Sequence, residues 1–82
     1  MTQEIKDKIA EDLKWRIALK KQEIELIEDD KSALRNVPDK KLSPVYRNHI
    51  IRALNVYKQV VIDELCEDHN ALHRLNDIEV TA

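Results

Sequence analysis

Cys66, His69 and His73 are the side chains best suited to bind a metal ion or to carry out chemistry. On a helix they fall within an arc of about 60°, and two histidines four residues apart can share a zinc ion. Cys66 and His73 lie about 10 Å apart along a helix axis, so a single ion does not reach all three. A zinc site would need His69 and His73 with a further ligand, for example Asp77 or a residue of a second copy. We favour packing of Cys66 as a small apolar residue, with both histidines at a half-exposed rim, and expect no metal.

Catalysis needs a pocket as well as a nucleophile. Cys66 and Ser43 are the candidate nucleophiles, with His49, His69 and His73 as possible bases. The chain has no Gly and only two Pro, and its one loop of about eight residues is too short to build an oxyanion hole. The absence of Gly also excludes phosphate-binding loops and dinucleotide fingerprints. We therefore predict a non-catalytic protein without a cofactor.

The first half of the chain has the hydrophobic spacing of one long helix, predicted over residues 3–35. Heptad positions a and d are mostly apolar, with two lysines as exceptions. They are Ala10, Leu13, Ile17, Lys20, Ile24, Ile27, Lys31 and Leu34. A second, narrower stripe at positions c and f holds Trp15, Leu19, Leu26 and Ala33. The helix should thus have two contact surfaces.

Residues 36–43 are predicted to form a linker. Asn36 is suited to a left-handed C-terminal cap, and Val37 before Pro38 is disfavoured in helical geometry. Ser43 followed by Pro44 is typical of an N-cap with proline in the first helical position. A second helix is therefore predicted over residues 44–79.

The second helix has a broad apolar side and a mixed flank beside it. The apolar side, interrupted by Asp68, consists of Ile50, Leu54, Tyr57, Val61, Leu65, Leu72 and Leu75. The step from Val61 to Leu65 breaks this heptad pattern and predicts a local change in supercoiling. The flank, a candidate partner surface or dimer contact, consists of Ile51, Asn55, Lys58, Ile62, Cys66, His69, His73, Asn76 and Val80.

Charge patterning predicts that the helices are antiparallel. A basic block containing Lys14, Arg16, Lys20 and Lys21 precedes an acidic one containing Glu23, Glu25, Glu28, Asp29 and Asp30. The second helix reverses the order, with Arg47, Arg52 and Lys58 ahead of Asp63, Glu64, Glu67 and Asp68. Folding back at the linker pairs opposite charges, which selects register more than it adds stability.

Two helices bury only one seam, so a hairpin with additional apolar stripes should associate with a partner. The simplest partner is a second copy, and we expect an all-α antiparallel hairpin, a single domain over residues 1–82, that forms a homodimeric four-helix bundle. Trp15, with Leu19 and Leu26, is a candidate anchor for another protein, although packing within the dimer explains it equally well.

Location follows from what the sequence lacks. Its longest aliphatic run is Val60, Val61 and Ile62, far below the roughly 20 apolar residues of a membrane span, so no membrane insertion is expected. The N-terminal residues do not have the pattern of a secretory signal. Cys66 is the one cysteine and cannot form an internal disulfide. These features favour the cytoplasm.

Two resemblances extend these expectations. A dimeric helical hairpin of this length resembles the plasmid copy-number Rop protein, which implies RNA binding by one bundle face, although the net charge here is −2 and the basic residues are interleaved with acids. The small, Lys-, Ile- and Glu-rich, glycine-free layout is similar to small cytoplasmic accessory proteins of large tailed phages, including the T-even lysis-inhibition antiholin. That resemblance implies stoichiometric binding to a host or phage protein. We predict a protein-binding regulator, with Rop-like RNA binding as the alternative.

Overall fold

The computed structural model describes residues 1–81 as two α-helices, α1 (Gln3–Arg35) and α2 (Pro44–Asn76). They pack side by side in opposite directions, and their Cα atoms extend over 66 × 14 × 11 Å. The predicted all-α hairpin and both bounds of α1 are confirmed. α2 ends earlier than the predicted boundary at residue 79.

Both helices begin at a side-chain cap. The Thr2 hydroxyl accepts a hydrogen bond from the Ile5 amide at 3.3 Å, and the Ser43 hydroxyl accepts one from the Tyr46 amide at 3.4 Å. Pro44, which has no amide proton to satisfy, occupies the first position of α2. The predicted start of α2 is therefore confirmed.

The end of α1 differs from the prediction at Asn36. This residue has φ −92° and ψ −5°, so the predicted left-handed cap is wrong. Its amide donates to the Ala33 carbonyl at 3.2 Å, and the Val37 amide donates to the Leu34 carbonyl at 3.3 Å. These tighter bonds satisfy the last carbonyls within right-handed geometry, so no left-handed residue is required.

Arg47 of α2 holds the linker in place. Its guanidinium donates to the carbonyls of Val37 and Leu42, the latter at 3.2 Å. It also forms an ion pair with Asp39 at 2.9 Å. The linker is thereby tied to the first turn of α2, which fixes where the chain reverses.

The opposite end of the hairpin is closed by Lys6 of α1. Its ammonium donates to the carbonyls of Asn76 at 3.4 Å and Ile78 at 2.8 Å, where the helix dipole favours a positive charge. These contacts and the low helix propensity of the β-branched residues that follow explain why α2 ends at Asn76. Beyond it, the Thr81 amide donates to the Met1 carbonyl at 2.9 Å.

The seam between the helices holds a small core. The residues buried in it are Leu13, Ile17, Ile27, Lys31, Val61, Asp68 and Leu75, all at the a and d positions of one heptad register. In α2 that register also includes Ile51 and Lys58, both partly buried, whereas Ile50 and Tyr57 are 41% and 47% exposed. The predicted seam was wrong at those two positions. With Ile51 and Lys58 included, the steps alternate regularly and Val61 to Leu65 needs no change in supercoiling.

Ion pairs between the charge blocks confirm the antiparallel register. Arg16 lies 3.7 Å from Asp68, and Lys20 lies 3.8 Å from Glu64. At the linker end, the acidic block of α1 pairs with α2 through Lys58. The expected pairing of that block with Arg47 was wrong, because Arg47 turns towards the linker. Arg52 makes no ion pair within residues 1–81.

A candidate protein-binding face

One broad side of the hairpin is lined by exposed apolar side chains, and we call it the apolar face. It consists of Ile5, Ile9, Leu19, Leu26 and Ala33 from α1 and Tyr46, Ile50, Ala53, Tyr57 and Val60 from α2. With buried Leu13 and Val61 at heptad position d, all ten residues fall at positions c and g, on one flank of the seam. Exposure reaches 56% at Leu26 and 66% at Tyr46.

The two stripes meet on the same side of the molecule. In an antiparallel pair, the g positions of the two helices face each other across the seam. The Tyr57 hydroxyl accordingly donates to the carboxylate of Glu23, and both residues are at position g. Near the linker, Ala33 and Ile50 line a shared groove of about 350 Å³. The apolar residues of α1 and α2 therefore form one continuous surface.

The opposite side of the hairpin is mainly polar. It carries Glu4, Glu11, Lys14, Lys21, Glu25 and Ser32 from α1 and Asn48, Arg52, Asn55, Gln59, Cys66, His69 and His73 from α2. Val45 is the large hydrophobic residue exposed there within residues 1–81. This asymmetry distinguishes a surface that needs a partner from one that water covers.

Trp15 lies at the outer edge of α1, at position f, one turn from Leu19. Its side chain is 64% exposed, outside the hairpin seam as predicted. A large, rigid indole in this position supplies contact area at little cost in conformational freedom. It therefore extends the apolar face of α1 outwards.

The predicted partner-binding residues fall on two different sides. Trp15, Leu19 and Leu26 lie on or beside the apolar face, whereas His69 and His73 are exposed on the polar side. Two others are half-buried, Ile51 at a seam position and Ile62 beside the seam. The structure does not bring these groups together, so one flat partner cannot contact both.

The zinc-ligand candidates do not assemble within one chain. Cys66 is exposed, so its predicted packing as a small apolar residue was wrong. His69 and His73 are also exposed, and Asp77 follows the last residue of α2. Among residues 1–81, no group of three or more His, Cys, Asp or Glu side chains is arranged to hold a metal ion. Those side chains lie at an open surface of the hairpin.

A buried ion pair lies beneath the apolar face in the middle of the seam. The Lys20 ammonium contacts the Asp68 carboxylate, and the two side chains are 16% and 9% exposed. Glu64 approaches the same ammonium from position g. Lys20 and Asp68 therefore satisfy each other, which lets this lysine and this aspartate occupy core positions.

A second polar layer lies nearer the linker. Lys58 and Lys31 donate to the Glu28 carboxylate at 2.6 Å and 3.1 Å, and both bonds hold the pKa of Glu28 below its ordinary value. On the apolar face, the bond to Glu23 raises the pKa of Tyr57. At neutral pH Glu28 is thus an anion bonded to two cations, and Tyr57 is a neutral donor.

Comparison with family models, curated proteins and solved structures gave no match to this chain. Neither α1 nor α2 contains a stretch apolar enough to cross a membrane, for the residues described.

The α2 half of the apolar face was missed from the sequence. Tyr46, Ile50, Ala53, Tyr57 and Val60 alternate in steps of four and three, which marks a helical stripe. Ile50 and Tyr57 had been grouped with Leu54 and Val61, and Lys58 with the flank. Recognising Glu28 as the partner of Lys58 would have revealed the second stripe.

Proposed function

We propose that this protein is a non-catalytic, protein-binding regulator that acts by stoichiometric, helix-mediated contact. The observation that carries the proposal is the 64% exposure of Trp15 at the outer edge of the apolar face. Trp15, at the outer edge of α1, is the anchor for the regulated protein, because large aromatic residues dominate binding energy at interfaces.

The surface area supports association with another chain. The accessible surface is 6297 Å², whereas a compact monomer of 9.6 kDa exposes about 5,100 Å². The excess of about 1,200 Å² exceeds the ~800 Å² that each partner buries in a standard interface. The hairpin therefore has enough surface for a stable contact.

A cytoplasmic site of action fits this proposal, because the exposed Cys66 thiol persists in a reducing compartment. The resemblance to small accessory proteins of tailed phages suggests a host or phage protein as the target. Binding would block or stabilise that target.

Affinity capture with matched variants tests the proposal. We expect the tagged wild-type chain to retain a protein in near-equal amount, and Trp15→Ala to lose it. Gln22→Ala is the control, because Gln22 is exposed at the same heptad position one repeat later. His69→Ala tests the polar side and should retain the target. Equal capture by wild type and Trp15→Ala would refute a role for Trp15, and capture of no protein in near-equal amount would refute the regulator.

RNA binding is the competing outcome. The basic residues Lys14 and Lys21 lie on the polar side between Glu11 and Glu25, which breaks up any continuous basic surface. A gel-shift assay with duplex and loop RNA decides the matter. A shifted complex that weakens steeply with added salt would support RNA binding instead.

A further inference from the structure

We infer that a second copy of this chain covers the apolar face, and that the two linkers lie at the same end of the resulting four-helix bundle. In this arrangement α1 of each copy lies over α2 of the other. The inference rests on the proposed function only in taking the apolar face as a binding surface. Trp15, at the outer edge, stays accessible to another protein.

The distribution of residues along α2 selects the arrangement. Its exposed apolar residues, from Tyr46 to Val60, occupy the half nearest the linker. In the other half, the same heptad positions hold Glu64, Glu67, Ala71 and Arg74. The face of α2 thus has an apolar half and a charged half, and a second copy must match both.

Linkers at the same end place the apolar half of α2 over apolar residues of the second copy. A twofold axis parallel to the helices keeps each residue at its own level, and the Arg16–Asp68 and Lys20–Glu64 pairs define which levels of α1 and α2 correspond. The apolar half of α2 then lies over Leu26 and Ala33 of the second copy.

The charged half is also matched in this arrangement. At corresponding levels, Glu67 lies near Arg16 of the second copy and Arg74 near Asp12 of the second copy. Opposite charges therefore meet at the edge of the new seam, which favours this pairing. Glu64, already paired with Lys20 of its own chain, lies near the level of Leu19 of the second copy.

Distances between spin labels test the arrangement. Cys66 lies near the middle of the rod, so a nitroxide on it reports pairing whichever way the copies are oriented. A label at Lys40→Cys, in a Cys66→Ser background, reports the orientation. We expect the two labels at position 40 to be separated by roughly 15–30 Å, because packed helices lie about 8–10 Å apart. A separation of about 50 Å, the length of a helix of 33 residues, would overturn the same-end arrangement.

Sedimentation equilibrium with two neighbouring variants tests the face itself. Leu19 belongs to the apolar face, and Ala18 is exposed on the polar side. We expect Leu19→Glu to weaken pairing by roughly 100-fold or more, because each dimer loses two buried leucines. Ala18→Glu should change the dissociation constant by less than about threefold. Circular dichroism checks that both variants remain helical.

The outcomes separate this inference from the proposed function. A helical wild-type monomer at micromolar concentration, with no interaction between Cys66 labels, would overturn the inference even if Trp15-dependent capture succeeds. Pairing at the expected label distance with no captured target would leave the inference standing and would refute the regulator.

Discussion

The Lys20 ammonium contacts the Asp68 carboxylate at the centre of the seam, where one helix supplies a cation and the other an anion from core positions. Glu64 and Arg16 flank this pair. A pair of this kind favours one register of the hairpin, because sliding either helix by a whole heptad would separate the two charges.

Removing one member of that pair should destabilise the protein. We expect Asp68→Leu to lower the free energy of unfolding by about 2–4 kcal/mol, because Lys20 then loses its buried partner. The double variant Lys20→Leu/Asp68→Leu should be as stable as wild type or more so, since two apolar residues replace two desolvated charges. Urea unfolding at one fixed protein concentration measures both.

The control for this experiment is the Lys8–Glu4 ion pair, whose side chains are 73% and 79% exposed. Lys8→Leu should leave the free energy of unfolding unchanged within error, because exposed pairs contribute little. An Asp68→Leu variant as stable as Lys8→Leu would show that the Lys20–Asp68 pair has no structural role.

Stability should fall at acidic pH partly through Glu28. The pKa of this residue is held below its ordinary value of 4.5 by Lys58 and Lys31. Its contribution is therefore fully present above pH ~4.5 and is lost as the pH falls through the lowered value. Thermal unfolding of wild type and Glu28→Gln between pH 3 and 7 tests this. The difference in melting temperature between the two proteins should decrease as the pH falls. A difference that stays constant would contradict the role of Glu28.

Two adjacent isoleucines should behave differently. Ile51 is half-buried in the seam and Ile50 lies on the apolar face. We expect Ile51→Ala to lower the melting temperature at every protein concentration, because it removes packing within one chain. Ile50→Ala should lower it only where copies pair, because association raises the melting temperature by mass action. Equal behaviour at all concentrations would contradict the assignment of Ile50 to an interface.

The cap of α2 provides a prediction independent of association. Ser43→Ala should destabilise the protein by about 1 kcal/mol, because the Tyr46 amide loses its acceptor. Ser32, exposed within α1, is the matched control. Ser32→Ala should be neutral or slightly stabilising, since alanine is the better helix former. Chemical denaturation compares the two directly, and similar losses would argue against a capping role for Ser43.

Local rules correctly predicted most of the fold. The start of α2 at Ser43 and Pro44 and the end of α1 near Pro38 depend on the backbone preferences of individual residues, which act whatever the surroundings. The same holds for the periodic apolar stripe of α1 and for the antiparallel charge order. The prediction of a left-handed cap at Asn36 was wrong, because the amides of Asn36 and Val37 already donate to the last carbonyls of α1.

What the sequence determined by itself was therefore two helices, their turn and their direction, since spacing and capping are properties of a single segment. Only the tertiary structure decided which stripe of α2 meets α1, because Lys58 and Asp68 become acceptable in the seam once Glu28 and Lys20 lie opposite them. That choice left Ile50 and Tyr57 outside the seam and created the continuous apolar face. The choice of stripe depends on contacts between residues far apart in the sequence. The pattern of one helix does not show which charges of the other helix will lie opposite it.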